Sequence, residues 1–355
     1  MGGGVAREHD MNYREVGRTG IRVSEIGFGC GGNAGLMVRG TFAQQKEAIA
    51  RALELGINYF DEAPDYGGGL SETNLGRVLR DLGVRPYITT KVEVRVDNLD
   101  DIAGHVTRSL DESLKRLGVD YVDFLQIHNG PFIDRPELSG RTYTRLWIED
   151  YLRPGGALDG LQRAQQSGKA RFIGFITRGK DAPAAQRLID TGAFSLINVS
   201  VNLLNPSAAM KPSGLRVDQD YGEILKYAAA HGVGAAIYSP LAGGVLTDIT
   251  VAGIATHPLA RGPRSPEAGE TLSRRAKAFR FLSQRLDSTA REEHSLAEAG
   301  IRFVLSLEGV TTVLGGFSDV SQVEEISASS GKGPLSQQNM ERIELAWSTN
   351  FGLDS

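Results

Sequence analysis

The chain is poor in the residues that build covalent or metal-bound frameworks. It has one cysteine, Cys30, in 355 residues. That excludes a disulfide within the chain and leaves no thiolate cluster for zinc, and a lone thiol fits a reducing compartment. Positive charge is not in excess either. Lys and Arg number 39 against 43 Asp and Glu, a formal net charge of −4, and no basic run occurs. Sequence-independent nucleic-acid binding needs a positive footprint and an anionic membrane surface needs a polybasic segment, so neither is expected as a partner. No apolar run approaches the ~18 residues of a membrane span. Met1 to Asp10 are Gly-rich and polar, without the apolar core of a signal peptide. Ala6 stands where a myristoylation signal after Gly2 needs Ser or Thr. The expectation is a cytoplasmic protein with a flexible leader over residues 1–12 and a single domain over 13–355, Met11 being an alternative start. Hydrophobic residues at 41% and charged residues at 23% exclude wholesale disorder.

Glycine is abundant, at 44 residues, and its placement is the main clue to the fold. Seven times a helix-like stretch ends at Gly and a short β-branched or aromatic run follows. The junctions are Gly56, Gly83, Gly118, Gly168, Gly192, Gly232 and Gly309. Helices commonly stop on a left-handed residue, where Gly has no Cβ penalty. With an opening strand near Ile26 to Cys30, eight strands are expected. Ile102, Val106, Leu110, Leu114 and Leu117 form one helical stripe. Ala48, Ile49, Ala52, Leu53 and Leu55 form another, opened by a capping box of Thr41 and Gln44. Strands alternating with helices predict a parallel α/β sheet, either open and doubly wound or closed into a barrel. Eight successive units without a break favour the closed barrel. Tyr13 to Ser24 read as a β-hairpin turning at Arg18-Thr19-Gly20, placed to plug the lower end. Three connections, about 129–156, 203–219 and 247–272, are too long for simple loops. All follow strands, so a barrel puts them on its C-terminal face, where long loops shape a substrate pocket. In the first, Phe132, Tyr143 and Trp147 could wall the substrate or pack the loop down. In the third, residues 261–266 read as a surface insertion.

The strand ends carry the chemistry. Asp61 ends the second strand, with Tyr66 five residues on; Lys91 ends the third and His128 the fourth. In a parallel barrel these positions converge on one mouth. The set suits proton donation to a carbonyl oxygen. A free tyrosine titrates at about 10, a weak acid near neutrality. An ammonium at ~4 Å favours the phenolate by roughly 4 kcal/mol at an effective dielectric of ~20, or roughly 3 pKa units before desolvation. Asp61 would hold Lys91 and keep it protonated, and His128 could orient the substrate oxygen. None of these groups is a hydride source, so a reduced cofactor is required.

The run Asn58-Tyr59-Phe60-Asp61 through Tyr66-Gly67, with Ser71-Glu72 and Leu75-Gly76 following, resembles the aldo-keto reductase signature. Ile88-Thr89-Thr90-Lys91 and Asp123-Phe124-Leu125-Gln126-Ile127-His128 resemble the lysine and histidine segments of that family. The resemblance runs from about Tyr13 to Ile326. It implies a (β/α)8 TIM barrel, nicotinamide-dependent reduction of a small aldehyde or ketone or the reverse, and a catalytic set of Asp61, Tyr66, Lys91 and His128. It also implies a cofactor site. Thr177, Arg178 and Asn198 stand where the family contacts the carboxamide, although Arg178 replaces Asn and Asn198 replaces Gln. Tyr238, Ser239, Pro240, Leu241 and Gly243 match the segment that stacks on the nicotinamide and holds the pyrophosphate. Gly316, Phe317, Ser318, Gln322 and Glu325 match the adenosine end. Between Gly315 and Glu325 there is no Lys or Arg. Ser318 and Gln322 could meet a 2′-phosphate, and Asp319 could instead accept from a free ribose. NADPH is the expected cofactor because the family mostly uses it, with NADH the alternative.

Other motifs compete. Gly27-Phe28-Gly29-Cys30-Gly31-Gly32 matches a dinucleotide fingerprint. However, residues 33–40 intervene before the first helix, and Asp61 lies 32 residues beyond Gly29. Gly29, Cys30 and Gly31 are therefore expected to let the backbone approach the nicotinamide. Tyr87 and Lys91 form the Y-x-x-x-K pair of short-chain dehydrogenases, which works on a helix, whereas residues 86–90 read as strand. A cofactor-binding sensor or regulatory subunit on the same barrel is a second reading, motivated by Arg178 and Asn198. A Schiff-base lyase on Lys91 is a third, but it leaves Tyr66 and Asp61 unexplained. His105, His231 and Cys30 are expected to be structural.

Overall fold

A computed structural model describes residues 11–137, 145–255, 257–261, 266–288 and 294–353. Strands β1 (Tyr13–Glu15) and β2 (Arg22–Ser24) form an antiparallel hairpin. Then come β3 (Ile26–Gly29), β4 (Tyr59–Asp61), β5 (Tyr87–Val92) and β6 (Val122–Ile127). A two-stranded parallel pair follows, β7 (Gly130–Phe132) with β8 (Arg145–Trp147). Four more strands complete the set: β9 (Ala170–Ile176), β10 (Leu196–Ser200), β11 (Gly234–Tyr238) and β12 (Thr312–Gly316). β3, β4, β5, β6, β9, β10, β11 and β12 close a parallel barrel in chain order, β12 pairing back onto β3. The open doubly wound sheet is thereby excluded, and with it the fingerprint reading of residues 27–32.

The helices form where the periodicity places them. Phe42–Glu54 is opened by the Thr41–Gln44 capping box. Ile102–Leu117 buries all five residues of its predicted stripe and stops at Gly118, whose φ of 69° is left-handed backbone that a side chain would strain. All seven junction glycines have positive φ. Tyr87 and Lys91 both lie on β5, not on a helix, so the short-chain dehydrogenase pairing is absent.

Alternation along the strands sets two interior layers. Tyr59, Phe124, Leu196, Ala236 and Leu314 pack with Val16, Ile21 and Val23 of the hairpin, stopping the lower end. The fit is close: a Cβ on Gly17 would stand 2.3 Å from the carbonyl oxygen of Gly232. Two residues further along four strands, the same inward face presents Asp61, Lys91, Gln126 and Asn198, all buried. The apolar floor therefore ends one residue pair below the chemistry. Among the described residues, no helix is long and apolar enough to cross a membrane.

The long connections follow β6, β10 and β11. The first carries β7, β8 and the helix Ile148–Leu152. Phe132 and Trp147 are register partners there, with Arg145 over one ring and Arg135 over the other. They pack the loop, while Tyr143 lies outside the described residues. The second connection is held by the C-terminal helix Gln337–Ser348, whose Trp347 donates to the Leu203 carbonyl at 2.7 Å. The third contains the helices Asp248–Val251 and Pro266–Lys277. Residues 262–265 of the expected insertion are outside the described set.

Candidate active site

The four predicted residues meet at the C-terminal mouth. Lys91, 1% exposed, spends its three N–H donors on three oxygens: Asp61 Oδ1 at 2.5 Å, the Glu62 carbonyl at 2.7 Å and the Tyr66 hydroxyl at 3.3 Å. Asp61 Oδ2 accepts from Asn198 Nδ2 at 2.9 Å, and Asn198 Oδ1 accepts from Gln126 Nε2 at 2.8 Å. A polar ladder thus crosses the barrel from β6 through β10 to β4 and β5. Gly174 on β9 leaves room for it, since a Cβ there would come within 3.1 Å of the Gln126 side chain. His128 stands with its ring edge-on to Tyr66, centroids 5.9 Å apart, and its Nδ1 is 3.0 Å from Asp65 Oδ1.

The electrostatics correct one expectation. Burial pushes the Tyr66 phenol well above the ordinary tyrosine value, and the carboxylates of Asp61, Asp65 and Glu62 push the same way against Arg178. Lys91 touches the phenol, but Asp61 lies closer to the ammonium and cancels its field. The simple lysine–tyrosine pair overlooked both that carboxylate and the lost water. Burial, with Glu72 adding to it, also pushes Glu62 well up. Its carboxyl is held by Ser71 at 2.8 Å. The Cys30 thiol is raised by burial and by the carboxylates of Glu62 and Asp61, so it is an inert packed side chain. His105 and His231 bond backbone carbonyls, of Glu93 and Tyr227.

The positions expected at the cofactor lie around this mouth. Gly31 sits against Tyr66, and a Cβ there would be 3.7 Å from the ring; Gly29 pairs with Gly316 across β3 and β12; and the Cys30 N–H donates to the Asp61 carbonyl at 3.0 Å. Asn198 has one amide N–H beyond the one given to Asp61. Arg178 Nη2 donates to the His128 carbonyl at 3.0 Å, and its own N–H donates to Asp181 at 2.7 Å. Tyr238 is fixed by donating to the Thr177 carbonyl at 2.8 Å, which leaves its ring as a wall. After β11, Ser239, Ala242, Gly243 and Gly244 all have positive φ. The run also contains Pro240 and Leu241, and its Ala242 and Gly244 N–H groups donate to the Ser239 and Leu241 carbonyls, closing tight turns. Phe317 packs on Phe28, centroids 4.8 Å apart. The Ser318 N–H donates to Gln322 Oε1 at 2.8 Å, and its hydroxyl donates to the Ala34 carbonyl at 2.7 Å. Gln322 and Glu325 lie on the eight-residue helix Val320–Ser327 that opens beside them. The turn segment, the helix N-terminus and the Tyr238 wall together could hold a dinucleotide.

Two features were missed from sequence. Asp319 caps that helix, accepting from the Gln322 N–H at 3.0 Å and the Ser321 hydroxyl at 2.7 Å. Its carboxylate is therefore committed to the fold, which weakens its reading as a ribose acceptor. Basic charge comes close to the Ser318 turn from elsewhere in the chain. The Arg261 N–H donates to the Asn33 carbonyl at 2.7 Å, next to the Ala34 carbonyl that holds Ser318. Arg39 lies beside Arg261 closely enough for the two to repel, donating to the Gly32 and Leu259 carbonyls.

Asp181, below Arg178, carries a pH signature. Burial raises its carboxyl from 3.8 to about 6. The folded state then holds that proton more tightly than the unfolded chain. The stability this gives is fully present below 3.8 and is lost as pH rises through about 6. Asp181→Asn should therefore raise the melting temperature by roughly 5 °C at about pH 8 and change it little at about pH 4. Thermal melts at both pH values check this, and an equal shift at the two would contradict it.

A sequence profile of the Aldo/keto reductase family matches residues 25–348. The chain is 31% identical over 318 residues to L-galactose dehydrogenase of Arabidopsis thaliana, covering 89% of this chain and 86% of that protein. It is 26% identical over 333 residues to L-glyceraldehyde 3-phosphate reductase of Escherichia coli O157:H7, covering 90% and 87%. It superposes on glycerol dehydrogenase of Gluconobacter oxydans with a TM-score of 0.70 at 21% identity, over 95% of this chain and 96% of that one; that likeness is one of fold.

Proposed function

The chain belongs to the aldo/keto reductase family and is a nicotinamide-dependent oxidoreductase of small carbonyl compounds, and on that premise we propose that Tyr66 is its general acid. The donor count at Lys91 carries this reading. Because Lys91 donates to the phenol oxygen and has no further N–H to give, the phenol's own proton points away from it, toward the open mouth. The bound reduced nicotinamide supplies the hydride. Tyr66 supplies the proton to the oxygen that gains charge. Its raised pKa suits that task, since the oxygen becomes a base comparable to hydroxide, whose conjugate acid has a pKa of about 15.7. The transfer is downhill only once charge develops. Asp61 holds the ammonium and His128 orients the ligand oxygen.

In this reading Thr177, Arg178 and Asn198 meet the carboxamide, and Gly29, Cys30 and Gly31 form the floor under the ring. Tyr238 is the wall, Ser239 to Gly243 hold the pyrophosphate, and Gly316, Phe317, Ser318, Gln322 and Glu325 hold the adenosine. The protein works in the cytoplasm. NADPH is the preferred cofactor, and Arg261 with Arg39 supplies the cations for its 2′-phosphate that residues 315–325 lack.

The test measures oxidation of NADPH and of NADH on mixing with a panel of aldehydes, for the native protein and for Arg261→Ala. Loss of a charge-assisted hydrogen bond weakens binding by about ten- to a hundredfold. KM for NADPH should rise by that factor, with KM for NADH nearly unchanged. Equal changes for both cofactors would remove Arg261 from the phosphate site. No cofactor oxidation with any aldehyde would favour a sensor over an enzyme.

A further inference from the structure

Gln126 is fully buried inside the barrel, a costly place for an amide. The direction of its hydrogen bonds is set from the far end of the polar ladder. The Asp61 carboxylate, paired with the Lys91 ammonium, can only accept, and it takes an N–H of Asn198 at 2.9 Å. Asn198 must then turn its oxygen the other way, where Gln126 Nε2 donates to it at 2.8 Å. Gln126 Oε1 is turned away in consequence, and it meets no donor among the described residues. Each amide therefore has one orientation that satisfies its neighbour, and the bonds run one way, from Gln126 through Asn198 to Asp61.

The fold gains little from this arrangement. A methionine would fill nearly the same volume without burying an amide oxygen unpaired. Room for the amide is also made on the next strand: Gly174 of β9 is the register partner of Gln126, and a Cβ there would stand 3.1 Å from Gln126 Nε2. Where a buried polar group breaks the rules of packing, function is the usual compensation. The gain lies at Asn198. Its amide is gripped at the nitrogen by Asp61 and at the oxygen by Gln126, so its plane is fixed, and with it the direction of its second N–H. Without Gln126 the amide is free to turn about its Cβ–Cγ bond. We propose that Gln126 is a positioning residue for the cofactor: by holding Asn198 Oδ1, it aims the remaining Asn198 N–H at the nicotinamide carboxamide. This inference rests on the reading of Asn198 as a carboxamide contact.

Fluorescence titration with NADPH at about pH 6, on the native protein and four variants, tests this. Asn198→Ala should weaken binding by about three- to tenfold, the worth of one neutral hydrogen bond. Gln126→Met should weaken it by a similar factor. In the double variant the two losses should not add, because Gln126 acts only through Asn198. Gln126→Glu should bind as the native protein does. Burial raises the pKa of a carboxyl, so at that pH the acid keeps its proton and donates it to Asn198 Oδ1 as the amide did. Native affinity in Q126M, additive losses in the double variant, or a Q126E as weak as Q126M would overturn the proposal. A residue that merely fills space would not be rescued by Glu, and Q126E decides alone if Q126M does not fold. A weakened N198A beside a native-like Q126M sinks this inference only. Native affinity in N198A would remove Asn198 from the carboxamide, and this proposal with it.

Discussion

Tyr66→Phe should lower turnover by about 10²- to 10⁴-fold, the usual worth of a positioned general acid, while affinity for the nicotinamide cofactor changes little. The substitution removes one oxygen. The ring stays beside Gly31 and edge-on to His128, so the shape of the mouth is kept. Lys91 loses only the longest of its three bonds, at 3.3 Å, and keeps Asp61 and the Glu62 carbonyl. The fold should therefore hold, and a fluorescence titration with NADPH should resemble that of the native protein. Turnover within tenfold of native would mean that the proton comes from another group.

Lys91→Met should cost stability as well as turnover. Removing one partner of a buried ion pair typically costs about 3–5 kcal/mol, because the charge left behind has neither water nor a counter-ion. Asp61 is 3% exposed and would be left with Asn198 alone among the side-chain donors to its carboxylate. A fall in melting temperature of about 4–7 °C is expected. Adding Asp61→Asn removes the stranded charge and should recover much of that loss, since the new amide oxygen still accepts from Asn198. Turnover should stay abolished in the double variant. Calorimetry on the native protein, Lys91→Met and the double variant measures this. A single variant melting within a degree of native would show that the pair is not buried as described.

The barrel was legible because its signals are local. Each helix stop at glycine and each stripe lies within one stretch of chain, and every one of the eight barrel strands lies where expected. Asp61, Tyr66, Lys91 and His128 were legible for the same reason, as polar residues at or just past strand ends. Asp65 sits next to Tyr66 in sequence, but its carboxylate comes within 3.0 Å of His128 Nδ1 across the mouth, and nothing local marks that approach. Arg261 was missed because its partner, Asn33, lies at the other end of the chain. The acidity of Tyr66 was misjudged for a related reason. Residue types predict a favourable cation, but the net field depends on how close Asp61 comes to it and on how much water is lost, and both are tertiary quantities.

The hairpin stopper has a kinetic consequence. With Val16, Ile21 and Val23 wedged into the lower end, a visitor to the described site has no way through the floor. Whatever arrives must back out the way it came. Bulk added at the rim should then slow arrival and departure in equal proportion, lengthening each visit without changing how tightly the visitor is held.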